Sequence, residues 1–160
     1  MREIEFRGQR KDTYEIIYGD LRQDIDLGTK YINGWDYWSD GEAGSQRAPF
    51  EYEIIPETVG QFTGLKDKNG VKIYEGDIVK THYFSEGLSS NLGVFEKDNT
   101  ITGDIQYRQD FATYVVNTED QDYTISEYCQ EPSEELEVIG NLYENPELIG
   151  GVLNDENKTI

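Results

Sequence analysis

The amino-acid sequence predicts a mainly β protein with an antiparallel sheet or small SH3-like barrel as its core, long insertions and at most one or two short helices. Three observations support this prediction. Many short segments alternate apolar and polar residues with a period of two, Gly, Asn and Asp stand between them, and helix signals are few. Aromatic residues make up 12% of the chain, and such rings suit half-buried sheet faces.

Each alternating segment places its apolar side chains on one face, as a half-buried strand requires. From the N-terminus, the predicted strands lie in "EIEFR", "YEIIYG", "FEYEII", "VKIYEGDIVKTHYF", "LGVFE", "TITGDIQYRQDFATYVVN" and "ELEVIGNLYE". So many short strands in one chain favour an antiparallel arrangement.

The stretch "GLKDKNGVKIYEGDIVK", residues 64 to 80, predicts a hairpin followed by a bend. Asn69-Gly70 favours a type I' turn because both central residues of that turn need positive φ. Gly76, between Glu75 and Asp77, permits a sharp bend or bulge before the next strand. A calcium loop counted from "DKNG" fails, because its first and twelfth positions fall on Leu65 and Gly76.

Helix and loop signals complete the outline. Asn145 before Pro146, with glycines after "ELI", predicts one short helical turn. Residues 19 to 50 are rich in Gly, Asp and Ser, so they read as a loop-rich insertion, either hairpin-bearing or mobile. Its aromatic residues indicate that part of it packs: Tyr31, Trp35, Tyr37 and Trp38. Residues 151–160 read as a polar C-terminal tail.

The charge of the chain limits its partners. Fourteen Lys and Arg against 33 Asp and Glu give a formal charge of -19, which disfavours direct contact with nucleic acid or an anionic membrane. A basic protein is the partner that this charge attracts. The N-terminus carries no apolar signal segment, and a single cysteine excludes an intramolecular disulfide, so the sequence predicts a cytoplasmic protein.

No catalytic or metal-binding constellation stands out. His82 is the only histidine, and Cys129 lies among acidic residues that raise a thiol pKa rather than lower it. The sequence contains no P-loop, no GxGxxG, no nucleophile elbow and no HExxH motif. We therefore predict no cofactor, no metal and no catalytic residue, and an enzyme is the less favoured class.

Three blocks carry a resemblance to a known family: "REIEFRG", "IPETVGQFTGLKDKNGVKIYEGDIV" and "LEVIGNLYENPELI". In order and spacing they resemble the YopX-like proteins of phages and prophages of Gram-positive bacteria. The resemblance implies a mostly β fold with a barrel-like core, a bacteriophage setting and a single domain over residues 1–150. It implies no particular reaction.

The central block supplies a candidate site. If the family shares a surface site, we expect it among the polar and amphipathic residues Gln61, Thr63, Asp67, Asn69, Tyr74, Glu75 and Asp77. The structural alternative, which we favour, is that Thr63, Asp67 and Asp77 hydrogen-bond the backbone of the two predicted turns.

A second candidate is the acidic segment of residues 117 to 137, which contains eight acids and no Lys or Arg. Its members are Glu119, Asp120, Asp122, Glu127, Glu131, Glu134, Glu135 and Glu137. Such a run is usually a solvated face. In a phage protein it could also imitate DNA phosphates and capture a basic partner quickly and in a salt-dependent way.

Two classes of function remain open. The first is a noncatalytic interaction protein that binds a basic host or phage protein, as a decoy or adaptor, or that self-associates. The second is a small-ligand-binding protein or accessory enzyme with a carboxylate-based site. A deep pocket ringed by carboxylates with shifted pKa values favours the second class, and a flat face with exposed tyrosines favours the first.

Overall fold

The computed structural model of the chain describes residues 3–39, 45–89, 93–119, 121–125 and 136–149. It divides into two compact units, Met1–Gly64 and Leu65–Ile160. In the described part of the chain, no helix has the length and apolar character needed to cross a membrane.

The first unit contains an antiparallel sheet with the strand order β4-β3-β2-β1-β5. A 3₁₀ helix, Pro56–Thr58, precedes β5. The strands are β1 Phe6–Gln9, β2 Ile16–Asp24, β3 Thr29–Ser39, β4 Ser45–Ile54 and β5 Gly60–Lys66. Ile32, Ile54 and Phe62 are its buried apolar residues.

The second unit contains a sheet with the order β10-β9-β8-β7-β11, also antiparallel. Its strands are β6 Lys72–Tyr74, β7 Asp77–Ser89, β8 Gly93–Arg108, β9 Thr113–Asn117, β10 Asp122–Thr124 and β11 Glu137–Asn141. A second 3₁₀ helix spans Pro146–Leu148. One apolar cluster holds the unit together and consists of Ile73, Val79, Ile105, Val116, Ile125 and Leu136.

The predicted fold class is confirmed: the chain is mainly β, its sheets are antiparallel, and the described part contains two short 3₁₀ helices, one at the predicted Pro146. The sheets are open, however, and do not close into the SH3-like barrel that the sequence also allowed. In the first unit, a single bridge between Arg10 and Ile54 brings the end of β4 back toward β1. One bridge does not close a sheet, which needs a continuous ladder.

Of the two alternatives that the sequence left open for residues 19 to 50, hairpin-bearing or mobile, the described residues form hairpins: they are strand except for the turn at residues 25–28. They contribute the end of β2, all of β3 and most of β4. The glycines of this segment suggested a loop, but Gly34 lies within a strand and leaves room for a neighbouring ring: a Cβ on Gly34 would lie 2.8 Å from the Phe50 ring. The prediction of a single domain over residues 1–150 stays a prediction, and residues 151–160 lie outside the described part.

Five strands of each sheet follow the same order, and β6 has no counterpart among them. Strands β1, β2, β3, β4 and β5 correspond to β7, β8, β9, β10 and β11. The register repeats as well: Asp20 pairs with Asn33 in the first sheet, and Asp104 pairs with Asn117 in the second. The hairpins "GDLRQDIDLGTKYIN" and "GDIQYRQDFATYVVN" are therefore equivalent.

Candidate functional sites

Asp67 is a buried turn residue and is 1% exposed. Its Oδ1 accepts hydrogen bonds from the N–H groups of Asn69 and Val71, each at 2.8 Å, and its Oδ2 accepts one from Val138 at 3.1 Å. The predicted hairpin is present, but only Gly70, at φ +80°, has positive φ in the turn. It is therefore not type I', which needs positive φ at two positions. The Asp67 carboxylate ties this turn to β11.

Asp77 closes the predicted bend. Its Oδ2 accepts a hydrogen bond from the Tyr74 N–H at 2.7 Å, and Gly76 has φ +78°. The N–H of Gly76 donates to the Ile105 carbonyl, and its own carbonyl accepts from the Leu142 N–H. The bend therefore joins β8 to the segment that follows β11.

The seven residues of the central block differ in exposure. Thr63, Asp67, Tyr74 and Asp77 are buried, Gln61 and Glu75 are half-buried, and Asn69 is exposed. The structure brings together Asp67 with Asn69 and Tyr74 with Asp77, in each case through a backbone N–H. For Asp67 and Asp77 this is the turn-bonding role that the sequence offered as the structural alternative. A shared surface site over all seven residues stays a prediction.

The acidic segment is described only in part. Asp120, Glu127, Glu131, Glu134 and Glu135 lie outside the described residues, as does Cys129, and the described backbone of His82 lies in β7. Asp122 accepts hydrogen bonds from Arg108 at 2.6 and 2.8 Å, and Glu137 pairs with Lys68. The Arg108 hydrogen bond lowers the pKa of the Asp122 carboxyl. The structure describes three carboxylates of this segment, and two of them, Asp122 and Glu137, are therefore already paired with a cation.

A buried polar network connects β8 and β9. Asp104 is 3% exposed and accepts hydrogen bonds from the side-chain amides of Asn117 and Gln106, both at 2.8 Å. Arg108 donates to the Asn117 side-chain oxygen at 3.1 Å. Asn117 thus connects the buried carboxylate to the Arg108–Asp122 pair.

One face of β2, β3 and β4 carries aromatic and arginine side chains. Arg22 donates two hydrogen bonds to Glu51, at 2.8 and 2.9 Å, and its guanidinium lies 4.1 Å from the centre of the Tyr31 ring. Arg47 lies 4.1 Å from the centre of the Trp35 ring. We call this surface the aromatic–arginine face; it consists of Tyr18, Arg22, Tyr31, Trp35, Arg47 and Glu51.

The large rings of this face remain accessible to solvent. Trp35 is 50% exposed although Arg47 stacks on it, and Tyr18 is 48% exposed. Residues 18, 20 and 22 are exposed at alternate positions of β2 and so lie on one face. The first unit therefore presents rigid aromatic groups from strands rather than from loops.

The sheet divides beside these rings. The β2–β3 pairing runs from Asp24 with Thr29 to Asp20 with Asn33. Beyond that point β2 pairs with β1 alone, whereas β3 keeps the pairing with β4 that runs from Lys30 to Ser39. A glycine is needed at the division, because a Cβ on Gly19 would lie 2.2 Å from the Asn33 carbonyl oxygen. We call this division the first fork. A depression of about 430 Å³ lies there, lined in part by Asp20, Asn33, Trp35, Pro49 and Glu51.

Sequence reasoning did not find the fork. It named Tyr31 and Trp35 as packing residues but did not place them on one face, and the side chains of Tyr37 and Trp38 fall outside the described ones. A comparison of the chain with itself would have helped, because Gly19, Asp20 and Asn33 recur 84 positions later as Gly103, Asp104 and Asn117.

Carboxylates are the residues on which a catalytic or metal site of the second class of function would depend. Within the described residues, no group of three or more His, Cys, Asp or Glu side chains could hold a metal ion. The pKa values of Asp12, Glu51 and Asp122 are shifted, all downward and mainly through hydrogen bonds from arginine. A carboxyl that donates a proton near neutral pH needs a raised pKa.

Comparisons with known proteins place the chain in a family and give it a structural relative. A family model described as "YopX protein" matches residues 5–150. No curated protein matches the chain. The crystal structure of protein EF1440 from Enterococcus faecalis is similar, with a TM-score of 0.52 and 23% sequence identity over 93% of this chain and 99% of that one. At this identity the likeness concerns the fold alone.

Proposed function

The chain belongs to the YopX protein family, and we propose that this member is a noncatalytic interaction module that binds a partner protein of net positive charge through its first fork and aromatic–arginine face. The setting that we propose is the cytoplasm of a bacterium that carries a phage or prophage.

The observation that carries this proposal is the depression beside Trp35. Tyr, Trp and Arg contribute most of the binding energy in protein interfaces, and they do so from well-packed positions near the centre of a contact. Here a half-exposed Trp35 and the Arg22–Glu51 pair flank a depression of about 430 Å³. The side chains are held by strands, so little conformational freedom is lost when a partner binds.

The charge of the whole chain supports the choice of a basic partner. On the aromatic–arginine face itself Arg22 pairs with Glu51, and elsewhere in the first unit Lys11 pairs with Glu53. The formal charge of -19 therefore acts mainly at a distance. It accelerates the encounter with a basic protein and makes that encounter sensitive to salt, while the aromatic contacts determine how long the complex lasts.

An affinity-capture experiment tests the proposal. The full chain is immobilised, a lysate of a phage-carrying bacterium is passed over it, and bound proteins are eluted with rising salt. Trp35→Ala is compared with Phe111→Ala, which removes a still more exposed aromatic side chain from the second unit. We expect one basic protein to bind wild type and Phe111→Ala and to be lost from Trp35→Ala, with purified partner binding weakened about 30-fold.

The experiment has three contrary outcomes. Equal capture by Trp35→Ala would exclude the aromatic–arginine face as the binding surface. Recovery of this chain alone would indicate self-association, and recovery of an acidic protein would contradict the proposed charge of the partner. Circular dichroism of both variants verifies that each is folded.

A further inference from the structure

The second unit contains an equivalent of the first fork. The β8–β9 pairing ends at Asp104 with Asn117, whereas β8 continues to pair with β7 as far as Gly93 with Ser89. Gly103 lies at the division, and a Cβ there would be 2.3 Å from the Asn117 carbonyl oxygen. The corresponding distance at Gly19 is 2.2 Å, so the same backbone approach divides both sheets. We call this division the second fork.

A cleft of about 290 Å³ lies at the second fork. Thr118 and Glu119 line it, 84 positions after Gly34 and Trp35, which line the depression of the first fork. One side of the cleft is β8 from Thr100 to Thr102, and the other residues that line it include Tyr123 and Ile149. Two separate features, the repeated backbone and the cleft itself, therefore identify the same place.

The main chain of β8 is available at this place. Among the described residues, Thr100 to Gly103 pair with β7 on one side and with no strand on the other. An unpaired strand edge presents N–H and C=O groups that an extended segment can bind as an added strand.

The side chains at the cleft indicate what the added strand would carry. Tyr123 and Ile149 offer apolar contact. Glu119 is exposed and forms no ion pair with any described residue, in contrast to Asp122 and Glu137 of the same acidic segment. Residues 65 to 160 contain 20 Asp and Glu against 7 Lys and Arg, so the local field favours a basic segment.

We propose that the second fork is a peptide-binding site, in which an extended segment adds to β8 between Thr100 and Gly103, places an apolar side chain against Tyr123 and Ile149, and directs a Lys or Arg toward Glu119. The site lies in the other unit from the surface of the proposed function and does not depend on it.

The probe is a labelled peptide of sequence Gly-Thr-Val-Lys-Val-Thr-Gly, titrated against the full chain and followed by fluorescence anisotropy. A second peptide has both valine nitrogens methylated, which keeps its charge and removes two strand hydrogen bonds. The protein variants are Glu119→Gln and, as the matched control, Asp26→Asn, which removes the same charge from an exposed turn of the first unit.

We expect the unmodified peptide to bind with a Kd below about 1 mM and the methylated peptide to bind about tenfold more weakly. Glu119→Gln should weaken binding about threefold and Asp26→Asn should leave it unchanged. Hydrogen exchange of the backbone amides of residues 100–103 should slow when the peptide is bound. Trp35→Ala should bind this peptide normally, which separates the second fork from the first.

Two results would overturn the inference. If both peptides bind equally well, attraction is purely electrostatic and no strand is added. If neither peptide binds at about 1 mM, the second fork is not a peptide site of this chemistry.

Discussion

Asp67 Oδ2 accepts a hydrogen bond from the N–H of Val138 at 3.1 Å, although the two residues stand 71 positions apart in the sequence. The same carboxylate accepts both turn bonds of the β5–β6 hairpin. A single buried side chain thus fixes a local turn and a long-range strand position at once.

We expect Asp67→Asn to lower the free energy of unfolding by about 1–3 kcal/mol, because an amide has one acceptor oxygen where three N–H donors now meet a carboxylate. Urea unfolding followed by tryptophan fluorescence measures this. Asp110→Asn, at an exposed turn position, is the matched control and should change the midpoint little. Equal midpoints for the two variants would show that the turn does not depend on this carboxylate.

The fork glycines and the hairpin glycine should respond differently to alanine. Gly103→Ala places a Cβ 2.3 Å from the Asn117 carbonyl oxygen, so we expect a loss of about 1–3 kcal/mol, and the same for Gly19→Ala. At Gly70, with φ +80°, nothing lies within 4 Å of a Cβ. There the cost is conformational and about 1 kcal/mol. A Gly103→Ala variant as stable as Thr100→Ala would contradict the close approach that divides the sheet.

Asn117 and Asn33 occupy equivalent positions in the two sheets, but we expect them to contribute differently to the free energy of unfolding. Asn117 bonds the buried Asp104 carboxylate and receives a bond from Arg108, whereas Asn33 lies beside the exposed Asp20. We therefore expect Asn117→Ala to cost about 1–3 kcal/mol, since it removes a hydrogen bond from a buried charge. Asn33→Ala should cost less than about 0.5 kcal/mol. Thermal unfolding of the two variants side by side decides this; equal losses would contradict it.

In each of two arginine–carboxylate pairs the arginine lowers the pKa of its partner, so we expect the loss of one arginine to change the pKa of that partner alone. Arg108 lowers the pKa of Asp122 below its ordinary value of 3.8, and Arg22 lowers that of Glu51 below 4.5. Because each folded-state pKa is lowered, each pair stabilises the fold above those ordinary values and loses its effect as the pH falls through the folded-state pKa.

Carboxyl ¹³C chemical shifts followed through an acid titration measure both values. Arg108→Gln should raise the pKa of Asp122 and leave that of Glu51 unchanged, and Arg22→Gln should do the reverse. If either variant moves both pKa values or neither, these hydrogen bonds are not their cause.

Local turn chemistry was readable from the sequence because it depends on adjacent residues. The glycine of the hairpin and the helical turn at Pro146 lie where predicted. Even so, the side chain of Asn145 forms no cap hydrogen bond, and instead accepts one from the N–H of Asn141 at 3.4 Å. The general position was predictable, whereas the partner of the side chain was not.

The forks could not be predicted from local pattern, because they depend on which strands pair and where the pairing stops. Gly19 in "YGDL" reads as an ordinary turn glycine until Asn33 is seen to approach it. Similarly, the charges of the acidic segment could be counted, but their neutralisation by Arg108 and Lys68 depends on pairs 14 and 69 positions apart.

The repeated division of the sheets has a consequence for the hairpins beside it. The sheets share the order of five strands, the register of one hairpin and a glycine at the same division. The side chains there differ: where the first sheet has Trp35, the second has Glu119. The turns of the two hairpins keep the same backbone form, since Gly28 and Ala112 both have positive φ, at 67° and 50°. Ala112 therefore carries the steric cost of a Cβ in the left-handed region, which Gly28 avoids.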